Sequence, residues 1–164
     1  KFRFKPDWAA VLPNNDGTGK GRFGPADRVP ELPDHWDVIE NATPDKPFRL
    51  VTAPARSFLN SSFTETPTSV ARERRPEMMI RANDAVPHGI VDGAPVKIGN
   101  EKGSVTVHER FFEGLAPKTV SVESVWPNQA FPEGIGLNLL VSAEAAAPVG
   151  GAVFHDTSVW IEPA

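Results

Sequence analysis

The stretch 83–105, NDAVPHGIVDGAPVKIGNEKGSV, constrains the fold of this chain more than any other feature. We expect Asn83 or Asp84 to cap one helical turn and Gly89 to end it. APVKIGN and GSVTVHE then alternate apolar and polar side chains, as half-buried strands do, and Glu101–Lys102 joins them as a hairpin. A chain that turns and pairs over so short a distance favours a small domain of short strands.

Further short segments rich in apolar residues and bounded by turns predict more strands and very little helix. They are 47–53 (PFRLVTA), 76–82 (PEMMIRA), 118–126 (KTVSVESVW) and 156–162 (DTSVWIE), while 142–148 is at most one or two helical turns. Short strands separated by turns predict a mainly β fold, either a barrel or a sandwich.

Composition excludes several classes of site. The 164 residues suffice for one domain, and the lack of cysteine excludes disulfides, zinc thiolates, iron–sulfur clusters and a cysteine nucleophile. A formal net charge of -4 argues against broad nucleic-acid binding, and no apolar run approaches the ~20 residues of a transmembrane helix. Because the chain begins with Lys1, we interpret it as part of a longer protein.

Residues 1–46 are expected to form an extended, partly disordered arm or linker, followed by a folded domain at 47–164. The segment DGTGKG within the arm does not match a phosphate-binding loop, because Asn14 and Gly21 occupy the positions of a Gly and a Ser or Thr. We expect the aromatic residues of the arm to pack on a neighbouring protein surface.

Two polar loops contain the candidate binding residues. TAPARSFLNSSF (52–63) follows the first strand and combines hydroxyls, an amide and Arg56, a set that suits a polar, phosphate-bearing heterocycle. The second loop, WPNQAFPEGIGLNLL (126–140), contains Asn138, whose amide offers both a donor and an acceptor to a flat ligand. On composition alone, both segments are equally compatible with ordinary surface loops.

Other chemistries have weaker support. The four histidines lack the mutual spacing of zinc ligands. Gly103–Ser104 is compatible with self-cleavage to a pyruvoyl group, although such a pair is common at a hairpin.

In order along the chain, PFRLVTAPARSFLNSSF, PEMMIRANDAVPHGIVDGAPVKIGNEKGSVTV, GLNLLVSAEAAAP and FHDTSVWIE resemble the C-terminal molybdopterin dinucleotide-binding domain of molybdenum and tungsten oxidoreductases. These enzymes are related to formate dehydrogenase, nitrate reductase and dimethyl sulfoxide reductase. The resemblance covers about residues 46–162 and implies a six-stranded double-psi β-barrel. It also implies that the domain positions a cofactor, while redox chemistry occurs in the full-length protein.

The resemblance assigns cofactor-binding roles to particular side chains. In the first loop they are Thr52, Arg56, Asn60, Ser61 and Ser62; later in the chain they are Asn138, Phe154 and His155. His155 stands where the family often has a Lys, so its charge would depend on pH. Phe131 corresponds loosely to an aromatic residue beside the substrate pocket. No catalytic residue and no metal ligand is expected in this segment.

The implied cofactor is a bis-molybdopterin guanine dinucleotide with Mo or W, expected in the full-length protein and not in the isolated domain. The implied partners are the remaining domains of the same polypeptide and an electron-transfer subunit, without nucleic acid. The substrate and the cellular location, cytoplasmic or periplasmic, stay open. An alternative hypothesis is a cofactor-free barrel that serves only assembly.

Overall fold

The computed structural model describes residues 40–123, 125–144, 151–154 and 157–164. Its strands are β1 Phe48–Ala53, β2 Glu77–Ile80, β3 Pro95–Asn100, β4 Gly103–Phe111, β5 Thr119–Glu123 and β6 Thr157–Pro163. The helices are α1 Pro67–Glu73 and α2 Ala82–Ala85, and single 3₁₀ turns form at Val86–His88, Asn128–Ala130 and Leu137–Leu140. The arm expected at 1–46 lies largely outside the described residues.

The six strands form a closed barrel in the order β1-β5-β2-β4-β3-β6, which confirms the six-stranded barrel. β1 runs parallel to β5 and β2 runs parallel to β4, whereas the other neighbouring pairs are antiparallel. Closure occurs where Phe48 of β1 lies opposite Val159 of β6. Every strand therefore has a hydrogen-bonded neighbour on both sides, and no edge is left to pair with another chain.

Side chains that alternate along each strand fill the barrel interior. On β4, Val105, Val107 and Glu109 are buried in succession. The other fully enclosed large side chains include Phe48, Leu50, Met78, Ile80, Val96, Ile98, Val120, Val122 and Leu140. Burial of each such apolar side chain contributes about 1.5–3 kcal/mol, so this interior provides the main stabilisation of the fold.

The 83–105 unit adopts the predicted turn and hairpin, but its cap differs. Gly89 ends the helical turn with φ 73, a conformation that glycine adopts without steric cost. The expected cap by Asn83 or Asp84 is wrong, since both lie inside α2. The backbone N–H of Ala82 instead donates to Glu113 Oε1 at 3.1 Å, and Asp84 Oδ2 accepts from the N–H of Lys118 at 2.9 Å.

Helix α1 was not predicted from the sequence. None of its residues is buried, so the segment lacks the apolar stripe that reveals an amphipathic helix. Pro67 at its first position favours this start, because the missing N–H has no partner there in any helix.

The segment that precedes β1 is attached to the barrel by polar contacts. Glu40 accepts hydrogen bonds from Lys102 Nζ at 2.5 Å and from the backbone N–H of Ser158 at 3.2 Å. Lys46 Nζ forms an ion pair with Glu101 at 2.5 Å. Lys46 and Lys102 together lower the pKa of Glu101 to about 2. These contacts fix the segment before β1 against the tip of the β3–β4 hairpin.

Glu109 is a carboxyl group inside the barrel. Its side chain is 1% exposed, Oε2 accepts from the N–H of Gly93 at 3.1 Å, and Oε1 has no hydrogen-bond partner among the described residues. Burial raises the pKa of Glu109 to about 7, and the nearby carboxylates of Asp92 and Glu77 add to the effect. The group is therefore largely protonated at pH values where an exposed Glu is ionised.

This burial predicts a pH-dependent stability. Between pH ~4.5 and ~7 the folded state keeps a proton that the unfolded state releases, so the free energy of unfolding falls as pH rises, by about 3 kcal/mol at most. We expect Glu109→Gln to remove this component, so that the variant gains stability relative to the wild type above pH 7. Chemical denaturation from pH 4 to 8 measures the difference. Glu65→Gln, at an exposed position, is the control; a parallel pH profile for wild type and Glu109→Gln would refute the prediction.

Candidate functional site

A groove of about 440 Å³ opens where β1 and β5 end. Because these strands are parallel, the loops that leave them begin at the same end of the barrel and face each other. The groove is lined by Thr52, Ala53, Pro54, Ala55, Phe58, Asn60, Val122, Val125, Trp126, Asn128, Phe131, Gly136, Leu137, Asn138, Val141 and Phe154. Its size is within the range of ligand pockets in proteins.

The groove brings together five of the candidate site residues, from separate stretches of the chain. Thr52, half-buried near the end of β1, and Asn60 approach it from the first loop, and Asn138 from a 3₁₀ turn. Phe131 is 4% exposed and belongs to both the groove and the core, whereas Phe154 is exposed and also lines the groove.

Three described candidates do not line this groove. Arg56, Ser61 and Ser62 are exposed on the loop that follows β1. Ser61 and Ser62 belong to its tight turn, where the carbonyl of Ser61 accepts from the hydroxyl of Thr64 at 3.0 Å. His155 lies outside the described residues.

The position of Asn60 follows from this local turn. Leu59 and Ser62 exchange two backbone hydrogen bonds, of 3.1 and 2.8 Å, so the chain reverses over the two residues between them. Asn60 has φ 50, in the left-handed region that Asn tolerates better than most side chains. The turn thus explains an amide at this position without any ligand, and the same backbone geometry places Asn60 on the groove.

Asn138 is held in place by the β3–β4 hairpin. Its 3₁₀ turn is anchored by the buried side chains of Leu137 and Leu140. The buried Asn100, at the end of β3, donates from Nδ2 to the carbonyl of Leu140 at 2.8 Å and accepts at Oδ1 from the N–H of Lys102 at 2.9 Å. One amide therefore links the hairpin tip to the turn that carries Asn138.

Gly103 makes a second contact between the hairpin and this turn. Its φ is 146, and a Cβ atom at this residue would lie 2.6 Å from Leu139 Cδ2. A side chain at this residue would require Leu139 to shift, and the positive φ independently favours glycine. Residues at the tip of the hairpin within 83–105 thus help to position the site and also form part of the barrel.

Trp126 and Asn128 also line the groove, and our site assignment from the sequence did not include them. The half-buried ring of Trp126 packs edge-on against Phe58, with ring centroids 4.9 Å apart. Asn128 Oδ1 accepts from the N–H of Gly136 at 3.0 Å, which closes the loop over itself. The run WPN directly after a strand was the available signal, since a Trp at a loop entrance fits either a core or a site.

The chemistry of the groove is that of a binding surface without charge. None of its described lining residues carries an ionisable side chain; the polar groups are the Thr52 hydroxyl and the amides of Asn60, Asn128 and Asn138. Aromatic and apolar walls with a few donors and acceptors suit a flat heterocycle with polar edges. Within the described part of the chain, no cluster of three or more His, Asp or Glu residues could hold a metal ion.

The hairpin contact generates a prediction. Asn100→Asp keeps the acceptor for Lys102 but removes the donor to Leu140, so two oxygen atoms face each other in a buried position. We expect the free energy of unfolding to fall by about 1–3 kcal/mol, the cost of an unpaired buried polar group. Chemical denaturation measures this, with Asn83→Asp, on an exposed residue, as the matched control. Equal effects of the two substitutions would contradict the role of Asn100.

Comparison with known proteins relates this geometry to a family. Residues 48–158 match the family model described as "Molydopterin dinucleotide binding domain". The matched range includes β1 to β5, the first two residues of β6 and both loops that form the groove. This match supports the cofactor-binding hypothesis and not the cofactor-free assembly module.

Relatives show the same relationship. A probable oxidoreductase, YoaE, of Bacillus subtilis is 32% identical over 136 residues, which covers 83% of this chain and 20% of the relative. A putative catalytic chain of a dimethyl sulfoxide reductase from Halobacterium salinarum is 26% identical over 88% of this chain and 20% of its own length. The chain thus spans about a fifth of the length of these relatives.

Among solved structures, acetylene hydratase from Pelobacter acetylenicus has a similar fold. The TM-score is 0.61 at 11% sequence identity, over 73% of this chain and 18% of that protein.

The described residues contain no helix that is both long and apolar enough to cross a membrane. Because the family model covers well over half of the sequence, this chain belongs to the molybdopterin dinucleotide-binding domain family.

Proposed function

We propose that the groove at the end of β1 and β5 holds part of a guanylated molybdopterin dinucleotide, and that the protein containing this domain is a molybdenum or tungsten oxidoreductase. The observation that carries the proposal is the convergence of Thr52, Asn60 and Asn138 on one uncharged, aromatic-walled groove. The first loop and Asn138 are far apart in sequence and meet only because β1 and β5 are parallel neighbours.

The residues present fit a pterin ring system. The hydroxyl of Thr52 and the amides of Asn60 and Asn138 offer donors and acceptors to the polar ring edges. Trp126 and Phe131 provide apolar walls for the ring faces and exclude water from these hydrogen bonds. Asn128 is already engaged with Gly136, so its role is to shape the loop.

Arg56 is the candidate for a phosphate at the rim. It is exposed on the loop after β1, and no carboxylate lies within ion-pair distance of it in the described residues. A guanidinium in this state is free to form a bidentate contact with a phosphate. We assign Ser61, Ser62 and Phe154 secondary contacts at the same rim, and the proposed role of His155, which lies outside the described residues, rests on the family resemblance alone.

When bound, the cofactor supplies the metal at which two-electron redox chemistry takes place. The contribution of this domain is to orient the ligand with donors fixed by the fold. The relatives from Bacillus subtilis and Halobacterium salinarum are several times longer than this chain. We therefore propose that other parts of the same polypeptide complete the site, and that an electron-transfer protein binds the assembled enzyme.

Cofactor retention in the full polypeptide tests the proposal. Asn138→Ala removes an amide side chain that has no hydrogen-bond partner among the described residues, so the substitution leaves the described contacts of the fold intact. We expect cofactor affinity to weaken by about 1–3 kcal/mol, the cost of leaving a buried ligand group unpaired. Metal and oxidised pterin per protein, measured after dialysis, report the loss.

Asn83→Ala, at an exposed residue of α2, is the matched control and should retain both metal and pterin. Equal metal and pterin content in Asn138→Ala and in the control would refute the assignment of Asn138. A wild-type polypeptide that contains neither metal nor pterin after expression with a molybdenum supply would refute the function itself.

A further inference from the structure

A second groove, of about 290 Å³, shares Trp126 with the first groove as a lining residue. It lies between the end of α1, the start of β2, the outer side of β4 and the end of β5. Its walls consist almost entirely of charged side chains: Arg72, Glu73, Arg74, Arg75, Glu77, Arg110 and Glu123, with Trp126 as the aromatic member. We call it the arginine groove.

Its arginines are only partly neutralised. Glu77 is shared between Arg75 Nε at 3.4 Å and Arg110 Nε at 3.8 Å, and Glu123 lies 3.6 Å from Arg110. These distances exceed the ~2.7–2.9 Å of a close charge-assisted hydrogen bond, so the guanidinium groups keep donor capacity.

Glu73, Arg72 and Arg74 complete the charged lining of the groove. Glu73 accepts from the backbone N–H of Ser57 at 2.6 Å, so it is committed to the loop after β1. Arg72 and Arg74 have no ion-pair partner in the part of the chain that the structure describes. With four arginines and three glutamates in its lining, the groove has one positive charge in excess. Among these described residues, Arg72 and Arg74 carry the donors that are not engaged in ion pairs.

The backbone at Arg74 is strained in a way that a glycine would relieve. Arg74 has φ 67 and ψ -67, and the N–H of Arg75 donates to the carbonyl of Glu73 at 2.8 Å. These values describe the rare γ-turn with a positive central φ, which side chains other than glycine disfavour. A side chain at a strained backbone position is a candidate for a functional role, and here the side chain is a guanidinium that lines the groove.

We propose that the arginine groove binds a phosphate-class oxyanion. A single carboxylate brings no more charge than Glu77 or Glu123 and has no advantage over them, whereas a phosphate or diphosphate brings more charge and more acceptor oxygens. The concave shape suits a small, concentrated anion, and the forked guanidinium groups bind its oxygens in pairs. The anion is either free in solution or part of a larger ligand that passes Trp126 into the neighbouring groove.

Inorganic pyrophosphate is the probe that tests this site. It is titrated by calorimetry into the cofactor-free full polypeptide at constant ionic strength set by chloride. We expect saturable one-to-one binding, weakened about tenfold or more in Arg72→Gln/Arg74→Gln. The matched control, Arg81→Gln/Lys118→Gln, removes the same charge at the other ends of β2 and β5 and should bind like the wild type. Absence of saturation, or equal weakening in both double variants, would overturn the proposal.

Arg74→Gly separates binding from folding. Because glycine accepts the observed φ and ψ, we expect the midpoint of thermal unfolding to stay unchanged or rise while pyrophosphate affinity falls. Wild-type affinity in this variant would overturn the role of Arg74.

The cofactor-loaded polypeptide distinguishes the two sources of the anion. Pyrophosphate binding that persists in the loaded protein indicates a site for a free oxyanion. Binding that disappears on loading indicates that a phosphate of the cofactor itself occupies the groove. Both outcomes support the oxyanion site. The proposal does not require the first groove to bind a cofactor, because the first pyrophosphate titration uses cofactor-free protein.

Discussion

The position of β1 in the barrel determines where the first groove forms. β1 is hydrogen-bonded to β6 on one side and to β5 on the other, and only the pairing with β5 is parallel. The antiparallel pairing with β6 closes the barrel, and apolar side chains fill its interior. The parallel pairing sends the chain out of both strands at the same end of the barrel. Two loops far apart in sequence are thereby forced together, and the groove forms between them.

Local sequence patterns were sufficient to predict most of the elements. Alternation of apolar and polar residues identified the strands, and Gly89 and Glu101–Lys102 identified the turns within residues 83–105. The closed barrel itself did not follow from periodicity, which was equally compatible with a sandwich, and came from the resemblance to a family. The convergence of Thr52, Asn60 and Asn138 likewise depends on strand order, which pairwise patterns along the chain do not specify.

The errors have a common physical origin in contacts between distant parts of the sequence. Asp84 is a suitable capping residue, but the N–H of Ala82 is paired with Glu113, which follows the next strands. Helix α1 is exposed or half-buried along its whole length, so no apolar period marks it. The roles of Arg56, Ser61 and Ser62 stay predictions: these residues lie on the loop after β1 without lining the groove, whereas Asn60, in the turn closed by Leu59 and Ser62, does line it.

The described lining residues of the first groove carry no charge, so a change of pH acts on other parts of the domain. The described lining of that groove has no group that titrates near neutrality, so its hydrogen-bonding capacity stays constant between pH ~4.5 and ~7. Burial raises the pKa of Glu109, on β4, to about 7, so this group exchanges a proton within the same range. Stability can therefore change with pH while the first groove keeps its chemistry, because Glu109 is not among the residues that line this groove.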